Sequence, residues 1–247
     1  MIREVNYRAG LGWAARSMAF LCVFLGALAI LVLRVPDPNA TRRTPRSLID
    51  PTALRDWPFV LFVFGCFTVF LGMYTPFVHI QAYALRESIT SPSFALYILA
   101  ILNSSSILGR VLPSLVAQHI GSMNMIICTC IALAVASFCL TTTGSSLGRL
   151  LSAAIAYGFF TGTFFALQPT IFWRLSADPR TVGTRFGMAF VILSIALLFG
   201  PPISGALLDH QGYNAAWIWC GTTILVGCGL ILTSRIKKAG LDVKHAI

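Results

Sequence analysis

Seven long apolar runs that lack Asp, Glu, Lys and Arg divide this 247-residue chain, and they constrain its fold more than any other feature. A membrane hydrocarbon core about 30 Å thick is crossed by about 20 helical residues, and six of the runs reach that length. Because lipid offers no hydrogen-bond partner to the backbone, such segments must satisfy their N–H and C=O groups within helices. The sequence therefore predicts an all-α integral membrane protein with seven transmembrane helices. In chain order the runs are 17–33, 57–80, 88–109, 120–140, 150–173, 186–208 and 211–234.

The composition excludes a soluble globular domain. Hydrophobic residues make up 57% of the chain and charged residues 11%, whereas about a quarter of a soluble domain is charged. The net charge of +10 would suggest nucleic acid as the partner of a soluble protein, but between membrane spans basic residues record topology. We therefore predict the lipid bilayer as a partner, and no nucleic acid. The seven cysteines all lie inside the apolar runs without a CxxC or zinc spacing, so no metal site is predicted.

Basic residues are distributed unequally between the segments that connect the runs. Thirteen of the eighteen Lys and Arg residues lie in segment 34–56, in the turn around Arg110, in segment 174–185 and in the tail from residue 235. Cytoplasmic loops of membrane proteins carry the excess of basic residues. The sequence therefore predicts an external N-terminus and a cytoplasmic C-terminus, and we expect the plasma membrane as the location.

The spacing of the runs predicts four parts. Residues 1–33 form the first transmembrane helix with its external N-terminus, and residues 34–56 form a cytoplasmic linker. The density of proline and charge in this linker disfavours a packed element. Residues 57–236 form a bundle of six helices joined by short connections, and residues 237–247 form a cytoplasmic tail.

One face of the second run carries Gly72, Pro76, His79 and Tyr83. Pro76 removes a backbone hydrogen bond, so we expect a kink beside His79. His79 and Tyr83 are candidate substrate-binding residues, since an ionisable group inside the membrane is a functional candidate. The alternative for His79 is a neutral side chain satisfied by a neighbouring carbonyl.

The fifth run repeats this arrangement. Tyr157, Thr161, Phe164 and Gln168 share one stripe, and Pro169 follows. A buried Gln168 must find a hydrogen-bond partner, either in a substrate or in another helix, so Tyr157 and Gln168 are further candidates for substrate binding. The glycines at 158 and 162 form a small-xxx-small spacing that allows close approach of a neighbouring helix.

Polar or helix-breaking residues also mark the third and sixth runs. Asn103, Ser106 and Arg110 share a face; Asn103 is a candidate substrate contact, and interhelical hydrogen bonding is its alternative role. The sequence Gly200-Pro201-Pro202, followed by Gly205, predicts a break or bend near the middle of the membrane. Interrupted helices often line the cavities of transporters.

No run supplies an acid for catalysis. All eight Asp and Glu residues lie outside the runs, whereas an intramembrane enzyme such as a terpene cyclase needs carboxylates at the reacting carbon or at a metal. We therefore predict no enzyme activity, no catalytic residue and no cofactor. A seven-helix receptor is the other alternative, because the number of spans and the orientation fit. Such a receptor would be expected to carry Asp-Arg-Tyr after the third run or Asn-Pro-x-x-Tyr in the seventh, and this chain has neither.

Several motifs spread over about nine-tenths of the chain resemble those of the major facilitator superfamily. The stretch 12–235 is similar to the sixth to twelfth helices of that family, in particular to its fungal monocarboxylate-transporter-like (monocarboxylate porter) branch. The motifs are Gly12-Trp13-Ala14-Ala15-Arg16, Tyr74-Thr75-Pro76, Gln81-Ala82-Tyr83-Ala84, Asn103-x-x-Ser106-x-x-Gly109-Arg110-x-x-Pro113, Tyr157-Gly158, Arg185-x-Gly187-Met188 and Gly200-Pro201-Pro202-Ile203-x-Gly205.

The resemblance implies two helical bundles that rock around a midplane site and move a small organic solute by alternating access, with or without a proton. The solute would be a carboxylate or a fungal secondary metabolite for export. The resemblance also implies conformational or structural roles for seven residues of these motifs: Pro76, Gly109, Arg110, Arg185, Gly200, Pro201 and Pro202. Helices one to five of the family have no counterpart here, so we expect a missing N-terminal half or a second copy to complete the cavity.

Two departures from the family pattern concern the substrate. Gln118 follows Ala117 where the family usually carries an acid, so an ion pair between helices would be lost. The run 88–109 also lacks the Asp/Arg pair that animal members use for carboxylate and proton. These departures make a larger or neutral metabolite at least as good a prediction as a lactate-type substrate.

Overall fold

The computed structural model describes residues 11–32, 49–176, 178 and 181–240. Seven helical segments in this part of the chain are long and apolar enough to cross a membrane, which confirms the prediction of a multi-pass, all-α membrane protein. The helices are α1 (Leu11–Val32), α2 (Pro51–Arg55), α3 (Trp57–Met73), α4 (Thr75–Arg86), α5 (Pro92–Ile120), α6 (Ser122–Cys139, extended by a 3₁₀ turn over Leu140–Thr142), α7 (Leu147–Leu175), α8 (Val182–Gln211) and α9 (Tyr213–Ala239).

The chain divides into two compact units, Met1–Pro45 and Arg46–Ile247. Helix α1 belongs to the first unit, and the side chains of its membrane-spanning window are all unburied. An apolar helix of this kind depends on lipid or on other helices to cover it. The predicted boundaries at 33 and 56 stay predictions, and most of the predicted linker lies outside the described residues.

The end of the predicted linker is folded, so the expectation of no packed element was wrong there. Asp50 caps α2 by accepting a hydrogen bond from the Thr52 N–H at 3.0 Å, and Pro51 occupies the first turn. Proline fits this position because its missing N–H would have no partner in a first turn. Ala53 is fully buried, so the short helix packs against the bundle that follows.

The second unit is a bundle in which α3 packs along α9 and α5 packs along α7. Helix α6 lies against α7 and α9, while α8 lies against α3 and α9. Aromatic and long aliphatic side chains fill the centre. The largest fully buried ones are Trp217, Tyr157, Phe62, Phe164, Phe172 and Met73.

Close contact between α5 and α7 depends on glycine. A Cβ at Gly158 would collide with the Leu102 carbonyl, and one at Gly162 would collide with the Ser106 carbonyl. Without a Cβ the two backbones come together, and dispersion contacts hold helices together where lipid removes the hydrophobic driving force. This confirms that the small-xxx-small spacing marks a helix contact.

We predicted a break or a bend at Pro201 and Pro202; helix α8 is continuous there, so the break does not occur and the bend stays a prediction. The two prolines remove two backbone donors from a helix of 30 residues, and the remaining backbone hydrogen bonds maintain the helix on both sides of them. Packing also holds this region, because a Cβ at Gly200 would meet the Leu71 carbonyl of α3 at 2.5 Å.

Candidate solute-binding site

A cavity of about 660 Å³ lies where α3 gives way to α4, between that junction and helices α5 and α7. Its volume falls within the range of small-molecule sites, roughly 300–1,000 Å³. Its walls combine aromatic, small polar and cationic side chains. The lining residues are Tyr74, Phe77, Asn103, Ser106, Arg110, Thr161, Phe165, Ala166 and Pro169.

The junction between α3 and α4 is an interruption caused by proline. Helix α3 ends at Met73 and α4 begins at Thr75, with Pro76 in its first turn, so the kink predicted in this span is confirmed as a helix break at Tyr74. The Tyr157 hydroxyl donates to the Met73 carbonyl at 2.8 Å, and thereby satisfies a group that the helix end leaves without a partner. The break turns Tyr74 and Phe77 toward the cavity wall.

Arg110 lies inside α5, ten residues before that helix ends, and it lines the cavity. The prediction that Arg110 occupies a cytoplasmic turn was therefore wrong. Pro113 lacks an N–H and therefore leaves the Gly109 carbonyl without its helical partner. The Thr163 hydroxyl of α7 donates a hydrogen bond to this carbonyl at 2.9 Å, so α5 can continue beyond Pro113. The turn occurs instead at Gly121, where φ is 95°.

This placement also changes the charge of the third span. The run 88–109 has no charge, but α5, which begins at Pro92 and includes most of that run, presents a guanidinium to the cavity. Within the described parts of the chain, Arg110 makes no ion pair, since the recorded pairs there belong to Arg185. Arg110 is exposed on the cavity wall, and a guanidinium there can form charge-assisted hydrogen bonds with a bound anion.

Asn103 and Ser106 lie on the same wall as Arg110, as their common helix face predicted. The Asn103 amide donates to the Leu99 carbonyl of its own helix at 2.8 Å, and the Ser106 hydroxyl donates to the Asn103 carbonyl at 2.7 Å. The amide donor therefore does not make the interhelical bond that was its alternative role. The side chain of Asn103 is exposed, and among the described residues no group donates a hydrogen bond to its Oδ1, so this oxygen can accept one from a solute.

Three of the predicted substrate-binding residues contact protein rather than the cavity. His79 Nε2 lies 3.0 Å from the Ser204 hydroxyl of α8, and the Tyr83 hydroxyl lies 3.0 Å from that of Thr143. Tyr157 is fully buried, and besides Met73 its hydroxyl has Cys220 Sγ at 3.3 Å. Their predicted role in binding stays a prediction, and the contacts seen here connect helices.

Gln168 is buried beside the cavity residue Pro169, with 2% of its surface exposed. Its Nε2 has no hydrogen-bond partner among the described residues, although the Cys66 thiol of α3 is a neighbour. A thiol is a weak acceptor, so the amide keeps an unsatisfied donor. Gln168 is not among the residues that line the cavity.

Sequence reasoning missed the aromatic wall formed by Tyr74, Phe77 and Phe165. The Tyr74 ring centroid lies 5.7 Å from that of Phe77 and 6.4 Å from that of Phe165. In spans rich in phenylalanine, the sequence does not distinguish these residues from core residues. Only the position of the helix break shows that they line the cavity. A proline two residues after a tyrosine was the available signal.

Arg185 joins three elements at one end of the bundle. Its Nε donates to Asp50 Oδ2 at 3.0 Å, one terminal nitrogen donates to Asp56 Oδ2 at 3.0 Å, and the other donates to the Thr52 hydroxyl at 3.2 Å. The guanidinium carbon also lies 5.4 Å from the ring centroid of Phe59. We call these four polar residues (Asp50, Thr52, Asp56 and Arg185) the arginine clamp. It connects α2, the start of α3 and the start of α8.

The arginine clamp favours an ionised Asp50. The hydrogen bond from the Thr52 hydroxyl, at 2.5 Å, lowers the pKa of the Asp50 carboxyl below its ordinary value, and the contact with Arg185 lowers it further, against the opposing effect of burial. Paired and hydrogen-bonded in this way, a carboxylate tolerates removal from water.

The sequence of this chain is similar to the sequences of known transporters. The chain is 33% identical over 92% of its length to the MFS-type transporter dbaD of Emericella nidulans, and 34% identical over 94% of its length to MFS-type transporter 1 of an Ophiocordyceps species. Over 99% of its length it is 31% identical to the agnestins efflux protein AgnL12 of Paecilomyces divaricatus. No protein-family model matches the chain.

The homologues of this chain are therefore fungal transporters of the major facilitator type, which supports the resemblance found in its motifs. The three matches cover 51%, 52% and 54% of the relatives' own lengths, so the chain spans about half the length of the curated relatives it matches. The names of these relatives do not specify the monocarboxylate porter branch.

Proposed function

We propose that this chain forms the C-terminal part of a major facilitator transporter that exports a small, anionic organic solute by alternating access. The observation that carries the proposal is the cavity of about 660 Å³ with Arg110 in its wall, in a chain whose homologues are transporters. Sites near the middle of the membrane, lined by an interrupted helix, are typical of such proteins.

The cavity favours an aromatic acid. Arg110 offers a bidentate fork to a carboxylate or an ionised phenol. Asn103, on the same helix, adds a second polar group to this wall of the cavity. Tyr74, Phe77 and Phe165 provide faces on which a planar ring would stack. The relatives include efflux proteins for agnestins, aspyridones and fujikurins, which supports export of a fungal secondary metabolite.

One bundle supplies only part of the wall that such a solute needs. Beside the cavity residues, α5 presents Ile107, Leu108, Val111, Leu112 and Leu115 with 53–63% of their surfaces exposed. These side chains suit contact with a second bundle, either the N-terminal half of the same transporter or a second copy of this chain. The proton remains an optional co-substrate, because no acid lines the described part of the cavity.

The orientation we propose has the N-terminus outside and the C-terminus in the cytoplasm of the plasma membrane. Arg110 no longer supports this orientation, but Arg55, Arg174, Lys237 and Lys238 lie at helix ends that fall on one side. Cysteine labelling of Lys238→Cys and Asn214→Cys would test it. An impermeant thiol reagent should label the second from outside intact cells and the first only after lysis, and the reverse pattern would overturn the orientation.

Transport of a defined probe tests the function itself. The full chain is co-expressed in yeast with the N-terminal half of a major facilitator relative, and efflux of radiolabelled cinnamate is compared with that of neutral cinnamyl alcohol. Arg110→Gln should abolish cinnamate efflux, and Arg110→Lys should retain part of it because a cation without a bidentate fork remains. Arg174→Gln, an exposed arginine at the end of α7, is the matched control. Equal efflux from the Arg110→Gln and control cells would refute the proposal. No feature of the described residues favours the receptor or the intramembrane enzyme.

A further inference from the structure

A second cavity, of about 530 Å³, lies between α6 and α7 and is mostly apolar. We call it the α6/α7 groove. Four alanines line this cavity, and their methyl side chains are too small to fill the space between the two helices. The lining residues are Ala132, Val135, Ala136, Cys139, Thr142, Arg149, Ser152, Ala153, Ala156 and Phe160.

The α6/α7 groove is separate from the candidate solute site. Successive residues of a helix are turned by about 100°, so Ala153, Ala156 and Phe160 point roughly 150° away from Thr161, Phe165 and Pro169 on the same helix. The two cavities therefore lie on nearly opposite sides of α7. Around the groove, Ile131, Val135 and Ile155 expose 46–55% of their surfaces, as residues in contact with lipid do.

The groove has the length of one membrane leaflet. From Arg149 to Phe160 helix α7 rises by about 16 Å, and the hydrocarbon core of one leaflet is about 15 Å thick. The polar residues are all at one end. Thr142 closes the 3₁₀ turn after α6, and Arg149 and Ser152 lie in the first two turns of α7. An apolar channel with a polar end at the membrane surface matches the shape of a lipid.

Arg149 is held at this polar end. Its terminal nitrogen donates to the Thr142 carbonyl at 3.1 Å, which orients the guanidinium across the mouth of the groove. In the described ranges no carboxylate pairs with Arg149, so its remaining N–H groups are available to an anion. A phosphate is the anion that occurs at this depth in a membrane, and a guanidinium binds it in bidentate fashion.

We propose that the α6/α7 groove is a binding site for one glycerophospholipid, whose acyl chain fills the groove and whose phosphate pairs with Arg149. The lipid would cover the alanine surface that α6 and α7 leave open, and would fix the ends of the two helices on this side of the bundle. The site depends on membrane insertion alone, so it holds whether or not the chain transports a solute.

Native mass spectrometry of the purified full chain tests this site. After mild delipidation, titration with phosphatidylglycerol should restore one tightly bound lipid per chain. Arg149→Gln should weaken this binding about tenfold, the effect of losing one charge-assisted pair. Ala156→Trp should exclude the lipid by filling the groove. Arg174→Gln at the opposite end of α7 and Ala206→Trp on an exposed part of α8 are the matched controls and should bind as the wild type does.

Two further ligands distinguish a lipid site from a simple anion site. Diacylglycerol, which has the same chains without a phosphate, should bind about as weakly to the wild type as phosphatidylglycerol binds to Arg149→Gln. Inorganic phosphate should not displace the lipid. Equal lipid retention by the groove variants and their controls, or displacement by inorganic phosphate, would overturn the proposal.

The wild-type chain offers a readout that needs no variant. Cys139 is exposed and lines the groove, whereas Cys128 is exposed on α6 outside it. In detergent, phosphatidylglycerol should slow alkylation of Cys139 and leave that of Cys128 unchanged, as measured by peptide mass spectrometry. Equal rates at Cys139 with and without the lipid would also contradict the site.

Discussion

Replacing Arg185 by glutamine should destabilise the bundle by about 3 kcal/mol. The arginine clamp places its guanidinium within 3.0 Å of two carboxylates, and the side chains of Arg185 and Asp50 are only 6% and 7% exposed. Removing one member of a buried pair typically costs 3–5 kcal/mol, because the remaining charge stays buried without compensation. We take the lower end of that range because Asp56 is 23% exposed and water can reach it.

Thermal unfolding in detergent, followed by tryptophan fluorescence, measures this effect. For a domain of about 200 residues, 3 kcal/mol corresponds to a decrease in Tm of roughly 6–12 °C. Arg185→Lys should fall between the wild type and Arg185→Gln, since lysine retains the charge but cannot bond three partners in one plane. Arg174→Gln, an exposed arginine in the last turn of α7, should leave the Tm within about 1 °C.

A double variant separates charge compensation from packing. Asp50→Asn should partly restore stability in the Arg185→Gln chain, because it removes the carboxylate that the first substitution left unpaired. In the wild-type background the same change should be destabilising. An Arg185→Gln chain as stable as the wild type, or an Asp50→Asn substitution with the same effect in both backgrounds, would refute the reasoning about the clamp.

Three other predictions concern stability. Gly158→Val should lower the Tm strongly and disrupt the contact of α5 with α7, because the valine side chain would clash with the Leu102 carbonyl. The control is Gly148→Val, because a side chain at Gly148 would meet no other atom. Tyr157→Phe should cost about 1–3 kcal/mol, because the helix-end carbonyl of Met73 loses its donor; an unchanged Tm would show that water replaces the hydroxyl. The pKa of the Asp50 carboxyl is lowered on folding, so the stabilisation that this carboxylate provides should be complete above about pH 4 and be lost as the pH falls below that. Tm is measured as a function of pH for the wild type and Asp50→Asn. An equal decrease in Tm at acid pH in both chains would contradict this prediction.

The hydropathy of the chain was sufficient to predict its seven spans, because membrane length and backbone hydrogen bonding leave few alternatives. Local sequence also predicted a kink beside His79 caused by Pro76, which occurs as a helix break at Tyr74, and the glycine contact at Gly158. These features depend on residues within one or two helical turns. They are therefore visible in one stretch of sequence.

The position of Arg110 depended on a residue far away in the chain. Pro113 suggests the end of a helix, and only the Thr163 hydroxyl, 54 residues from Gly109, shows why α5 continues. The arginine clamp is similar, because Asp50 and Arg185 lie 135 residues apart. A single sequence does not show which distant polar group compensates a proline or a charge.

The sequence identified the helix faces that carry the candidate residues. It did not identify the helices or the cavity that each face contacts. Asn103 and Arg110 share a stripe of α5 that lines the cavity, whereas Tyr157 and Gln168 contact α3 although Thr161 of their stripe lines the cavity. Periodicity shows which residues lie together on a helix, and it carries no information about the neighbour of that face. The cavity became recognisable only when α5, α7 and the broken span were seen together.

Protection of a single introduced cysteine at the cavity tests most directly whether Arg110 forms part of a solute site. Asn103→Cys, on the same wall, is treated with a water-soluble thiol reagent in the full chain reconstituted together with the N-terminal half of a major facilitator relative, with and without cinnamate. Cinnamate should slow the labelling of this cysteine, and the additional substitution Arg110→Gln should abolish that protection while cinnamyl alcohol gives none in either chain. Labelling that cinnamate slows equally with and without Arg110 would contradict the account.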